Sequence, residues 1–159
     1  VIKPPAEALE QMDDFVREMH TSSGLLEELS TGITMAEAEE QIVAYVLEWA
    51  PGPAKSPLGG NTVGTDRGFL ARDMPELESH LHYRIIDVSS IKELAVRWFP
   101  RAFFNSPKKA GGHRALADIR ESIAELRYYR EAIFVPPPGP DSETAKEIAA
   151  RHKVVPTIA

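Results

Sequence analysis

The chain has 159 residues, 43% of them hydrophobic and 26% charged, with a formal charge of −6 at pH 7 and a pI near 5.4. That length suits one domain with a single core, and the acidic balance excludes a long basic track for duplex nucleic acid, whose affinity rests on many Lys and Arg contacts to phosphate. Cysteine is absent, which excludes disulfides and thiolate metal sites and fits a reducing cytoplasm; no apolar run approaches the ~20 residues of a membrane helix, and no signal-peptide pattern opens the chain.

Taken in chain order, Ala8 to Leu29 is broadly helical but broken by Thr21-Ser22-Ser23-Gly24. Thr34 and Glu37 form a capping box, after which Met35, Ala38, Ile42, Val46 and Trp49 recur at helical spacing until Pro51-Gly52-Pro53. Ser56 to Asn61 reads as a short strand, Asp66 to Met74 as a short helix stopped at Pro75, and His82 to Val88 as a second strand. Ser90 with Glu93 then caps a predicted helix whose Ile91, Leu94, Ala95 and Trp98 face inward. Phe103 to Gly112 is a polar loop; Leu116, Ile119, Ile123 and Leu126 mark a long amphipathic helix. Pro136-Pro137-Pro138-Gly139-Pro140 is a stiff linker, and a tail helix follows with Asp141 as its cap and Arg151, His152 and Lys153 at its end. Alternating strands and helices indicate an α/β fold. The division expected is a domain over 1–135 and a linker with short helix over 136–159.

The stretch "GGHRALADIRES" holds His113 on a loop and Asp118 one turn into the helix that follows. A carboxylate there suits Mg²⁺ or Mn²⁺, which take oxygen ligands and share their shell with water and phosphate. A histidine of pKa near ~6.5 can accept a proton at neutral pH. By itself the spacing also fits a loop histidine and a solvated helix aspartate.

The blocks "SPLGGNTVGTDRGFLARDMPELESHLHYRIIDVSSIKELAVRWFPR" and "HRALADIRESIAELRYYRE" closely resemble the oligoribonuclease family of DEDDh 3′-to-5′ exonucleases. The likeness runs from Val1 to about Pro140. It implies a ribonuclease H-like α/β fold, a homodimer, and hydrolysis of very short RNAs, above all dinucleotides, with two divalent ions. Residue by residue, it implies that Asp66 and Asp118 are metal ligands and His113 the general base. Thr62, Arg84 and Ser89 would surround the 5′ phosphate of the dinucleotide, Thr62 keeping the hydroxyl of the more usual Ser. Tyr83 would reach into the partner subunit's site. Phe15 and His20 would lie near the bases and phosphate, Phe15 replacing the commoner Trp so that stacking survives without the indole N–H.

The family's first motif, an Asp-x-Glu on the first strand that supplies two more acids, is read as absent from the whole sequence; Asp13, Asp14, Asp73 and Asp87 are the candidate substitutes, and none sits in the matching segment. Together with a start at Val1-Ile2-Lys3-Pro4-Pro5, this gives the expectation of a chain that enters after the first strands of the sheet. Weak metal binding, little or no activity, and exposed apolar faces at positions such as Trp49 and Leu116 would follow. The alternative function is a non-catalytic module for short RNA or dimerisation.

Overall fold

A computed structural model describes residues 1–53, 56–108 and 115–153. Among these residues there are ten α-helices and two β-strands. The first three helices, α1 (Ala6–Glu10), α2 (Asp14–Ser22) and α3 (Leu25–Leu29), fill the predicted helical region, and Asp13 caps α2 by accepting from the Val16 amide at 2.7 Å. Gly24, in the left-handed region at φ 72°, makes the break between α2 and α3. The segment before α1 returns to meet the end of α3 through a parallel bridge between Ile2 and Ile33. A Cβ on Gly32 would sit 3.0 Å from both Lys3 N and Val1 O, so the close approach requires glycine there.

Helix α4 (Met35–Trp49) carries the predicted capping box, with the Glu37 amide donating to Thr34 Oγ1 at 3.2 Å and the Thr34 amide to Glu37 Oε2 at 2.8 Å. Its Ala38 and Val43 join Met74 and Leu77 in a buried cluster, onto which Ile2, Ile33, Val46 and Leu70 pack. Trp49 does not reach that core and is 72% exposed.

Strands β1 (Ser56–Gly60) and β2 (Leu81–Asp87) form a two-stranded parallel sheet. Parallel neighbours need a crossover, supplied here by α5 (Val63–Asp73) and α6 (Pro75–His80). Two sequence expectations are corrected in this region. Helix α5 begins at Val63 rather than Asp66. Pro75 opens a new helix rather than only stopping one, because proline at the first helical position gives up an N–H that has no intrahelical partner. Glu39 Oε1 takes two of the remaining orphan donors, the amides of Glu76 and Leu77, at 2.8 and 3.1 Å.

Helix α7 (Val88–Trp98) starts two residues before the predicted cap, because the Asp87 carboxylate accepts from the Ser89 amide at 3.2 Å and so is the N-cap in place of Ser90 with Glu93. Of its predicted inward residues Ala95 is fully buried, whereas Leu94 and Trp98 are 43% and 66% exposed. The predicted loop after it opens instead with α8 (Pro100–Phe104). Helix α9 (Ala115–Ala132) buries Glu125 and Tyr129 rather than Leu116, Ile119 and Ile123, which are exposed. It packs chiefly on α7 and β1. The tail helix α10 (Ser142–Arg151) has the expected cap, Asp141 Oδ1 accepting from the Thr144 amide at 2.8 Å.

Candidate active site

Because β1 and β2 are parallel and Gly60 pairs with Asp87, both strands deliver their C-terminal ends to one edge of the sheet. Crevices beyond the carboxyl ends of parallel strands are where open α/β sheets bind ligands. At that edge Thr62 adopts φ 55°, a left-handed conformation unusual for a β-branched residue. The turn aims its amide at two acceptors, Asp87 Oδ1 and Ser89 Oγ, each 2.9 Å away. Its hydroxyl lies 3.1 Å from Ser89 Oγ, so Thr62 and Ser89 are brought together as a hydroxyl pair.

Asp87 holds the edge in place. Besides the Thr62 and Ser89 amides it accepts from Ser90 Oγ at 2.7 Å. Burial alone would raise its pKa; the Ser90 hydroxyl and the amides of Ser89, Thr62 and Val63 together outweigh burial and hold the carboxyl below its ordinary value of 3.8.

Tyr83 and Arg84 owe their position to an irregularity in the strand pairing. Pro57 pairs with His82 and the next residue, Leu58, with Ile85, so Tyr83 and Arg84 form an unpaired bulge on β2. A bulge re-aims the side chains it carries. Both are exposed; the Tyr83 ring stacks on His82 at a centroid distance of 4.5 Å, and the Arg84 guanidinium lies 5.3 Å from the Tyr83 ring centre. Tyr83 is therefore not a core residue of this chain. The bulge is anchored at its base, where the Arg84 amide donates to His82 Nδ1 at 3.0 Å and Arg67 Nη1 donates to the His82 carbonyl at 2.7 Å. Arg67 is itself fixed by Glu78 Oε1, 2.6 Å from Nη2 and 3.1 Å from Nε.

On the other side, Asn61 joins the edge to α9. Its Oδ1 accepts from Ser89 Oγ at 3.1 Å, and its Nδ2 donates to Ser122 Oγ at 2.9 Å and to Glu125 Oε2 at 3.1 Å. Lys92 of α7 lies 3.7 Å from Glu125 Oε1. Asp66 and Asp118 occupy the first turns of α5 and α9, and both are exposed. Two exposed carboxylates suit a hydrated hard cation. A two-ion centre needs more acids than these, and among the described residues no group of three or more His, Cys, Asp or Glu could hold a metal. The described donors thus do not fit a two-ion site.

Phe15 and His20 sit on α2, with Phe15 75% exposed, so helix packing does not account for that ring; α2 packs chiefly on α3, and the structure does not bring either residue together with the hydroxyl pair. His113 lies outside the described residues. The Asp-x-Glu pattern occurs in the sequence at Asp141-Ser142-Glu143, but on the exposed first turn of α10, where Asp141 serves as a cap. Sequence reasoning missed Asn61, Asp87 and Arg67 as parts of the site; Asp87, an acid placed between a strand and a helix, carried the one readable signal, that of a cap.

These features define an α/β domain with a polar edge at the carboxyl ends of its strands, and an exonuclease family model matches residues 2–126. Such a domain has the ribonuclease H-like fold, here a mixed α/β arrangement with a small parallel sheet. Among similar proteins, the oligoribonuclease of Streptomyces avermitilis is 72% identical, the alignment spanning 96% of this chain and 76% of the relative. That of Streptomyces coelicolor is 71% identical over 97% of this chain and 77% of its own length, and that of a Mycobacterium species 53% identical over 94% and 70%. The chain belongs to the oligoribonuclease family of exonucleases.

Proposed function

We propose that this chain is a 3′-to-5′ exoribonuclease acting on short oligoribonucleotides, above all 5′-phosphorylated dinucleotides, which it hydrolyses to mononucleotides. The observation that carries the substrate reading is the Thr62–Ser89 hydroxyl pair, 3.1 Å apart at the carboxyl edge of the sheet, on the strand pair that also bears Arg84. A guanidinium fork with hydroxyl groups suits a terminal phosphate, and closing that end selects short chains. Tyr83, exposed on its bulge, is free to enter the site of a partner in a homodimer. Phe15 offers a face for base stacking, and His20 a contact to phosphate.

Asp66 and Asp118 are proposed as the carboxylates that would hold a hydrated Mg²⁺ or Mn²⁺, whose chemistry would be charge stabilisation at a phosphate. His113 is proposed to take the proton of the attacking water, a role carried over from the family resemblance of the block that holds it. Residues 1–135 are proposed as the exonuclease unit and 136–159 as an appended linker and helix.

Calorimetry with dinucleotides that carry or lack a 5′ phosphate tests the substrate reading. Tighter binding of the phosphorylated form is expected, and equal binding of both contradicts it. Cleavage is followed separately in Mn²⁺. His113→Ala should remove whatever turnover the parent chain shows and change binding by less than about twofold, and full turnover in that variant would rule out the base role. Tight binding with no cleavage at saturating Mn²⁺ would favour a non-catalytic short-RNA module.

A further inference from the structure

The hydrogen bonds around Asn61 have a direction that the chemistry of their ends imposes. The Glu125 carboxylate, 4% exposed, only accepts, so the Asn61 group 3.1 Å from Glu125 Oε2 must be the amide nitrogen. That places Asn61 Oδ1 against Ser89 Oγ, and an amide oxygen only accepts, so Ser89 must spend its single proton there. Ser89 therefore meets Thr62 as an acceptor, and in the contact between the hydroxyls the proton belongs to Thr62. Toward α9 the same amide nitrogen donates to Ser122 Oγ, which donates to the Asp118 carbonyl at 2.9 Å.

We propose that Asn61 is a positioning residue that sets the polarity of this chain and ties the hydroxyl pair to the first turn of α9, the turn that carries Asp118. Taken with the phosphate-binding reading above, on which this part rests, it assigns different roles to the two hydroxyls. Ser89 is locked as a structural acceptor. Thr62, by rotating its O–H from Ser89 to the ligand, is the hydroxyl that donates to a terminal phosphate. The bonds from Asn61 keep that donor and the Asp118 turn at one separation, as a substrate spanning both would need.

The first test needs no ligand. In the free chain the Asn61 side-chain amide protons should exchange with solvent at least about tenfold more slowly than those of Asn105, whose side chain is exposed. Ser122→Ala, which cuts only the arm to α9, should remove much of that protection and speed backbone exchange over residues 118–122. Equal exchange at Asn61 and Asn105, or a Ser122→Ala variant with unchanged exchange, would overturn the tie to α9.

The second test is calorimetry with non-hydrolysable dinucleotides that carry or lack the 5′ phosphate. Asn61→Ala should weaken the phosphorylated form about tenfold and the other by less than about twofold, a split that general loss of structure would not produce. Asn61→Asp, which keeps an acceptor for Ser89 but sets a second carboxylate against Glu125, with Lys92 and Asp87 as the other charges in the network, should lose affinity at pH 8 and recover part of it near pH 5 as one carboxyl of the pair becomes a donor. Unchanged phosphate preference in Asn61→Ala would overturn the assignment. If the parent chain itself shows no preference for the 5′ phosphate, the substrate reading and the assigned hydroxyl roles both fall, while the exchange results still decide whether Asn61 holds α9.

Discussion

Asp87 shows how one side chain can serve helix and site together. It caps α7, fixes Ser90 and receives the Thr62 amide, and its carboxyl titrates below the ordinary value of 3.8 because those bonds outweigh burial. A lowered folded pKa means that the ionised form stabilises the fold, an effect fully present above the unfolded pKa near 3.8 and lost as pH falls through the lower folded value. Asp87→Asn should cost about 1–2 kcal/mol at pH 7, and the difference from the parent should shrink below about pH 4. Denaturant unfolding across that range checks it; a constant difference down to pH 2 would show that the charge plays no part. Arg84 admits a sharper test of chemistry. Arg84→Lys keeps the charge but not the fork, and should still weaken binding of the 5′-phosphorylated dinucleotide about tenfold; unchanged affinity would leave the guanidinium only its contact with Tyr83.

Among the elements, α9 departs furthest from its sequence pattern. Its apolar residues Leu116, Ile119 and Ile123 lie exposed, while Glu125 and Tyr129 are buried. The Tyr129 hydroxyl is buried without a hydrogen bond of acceptable geometry. Burial raises its pKa, and Ser106, though placed to lower it, does not complete a bond. A buried unpaired hydroxyl is destabilising, so Tyr129→Phe should leave the unfolding free energy unchanged or raise it by up to about 1 kcal/mol. A loss of more than that would mean the hydroxyl is satisfied. In the bulge of β2, Glu78→Gln removes the charge that fixes Arg67, both side chains being largely shielded. It should cost about 1 kcal/mol and loosen Tyr83 and Arg84, visible as faster amide exchange at those residues; unchanged exchange would show that the bulge holds without Arg67.

For the whole molecule, the exposed apolar residues have a collective consequence. Trp49, Trp98, Phe104, Leu116 and Ile119 are each more than half exposed, more large apolar surface than a monomer of this size ordinarily leaves in water. The chain should therefore self-associate with rising concentration, and sedimentation velocity over a hundredfold range should show the mass increase. A monomer throughout would contradict both this reading and the proposed homodimer. None of the described helices is long and apolar enough to cross a membrane.

The sequence by itself determined the local events: the capping box at Thr34 and Glu37, the cap at Asp141, the strands near Ser56 and His82, and family membership through two long blocks of residues. These depend on neighbours within a few positions, where propensity and capping chemistry are readable. Tertiary structure alone decided that Tyr83 and Arg84 leave the ladder together, that α9 turns Glu125 inward, and that Asn61 meets Ser122 across 61 positions of chain. Those outcomes depend on which partners long-range pairing brings together, and no local pattern records the partner.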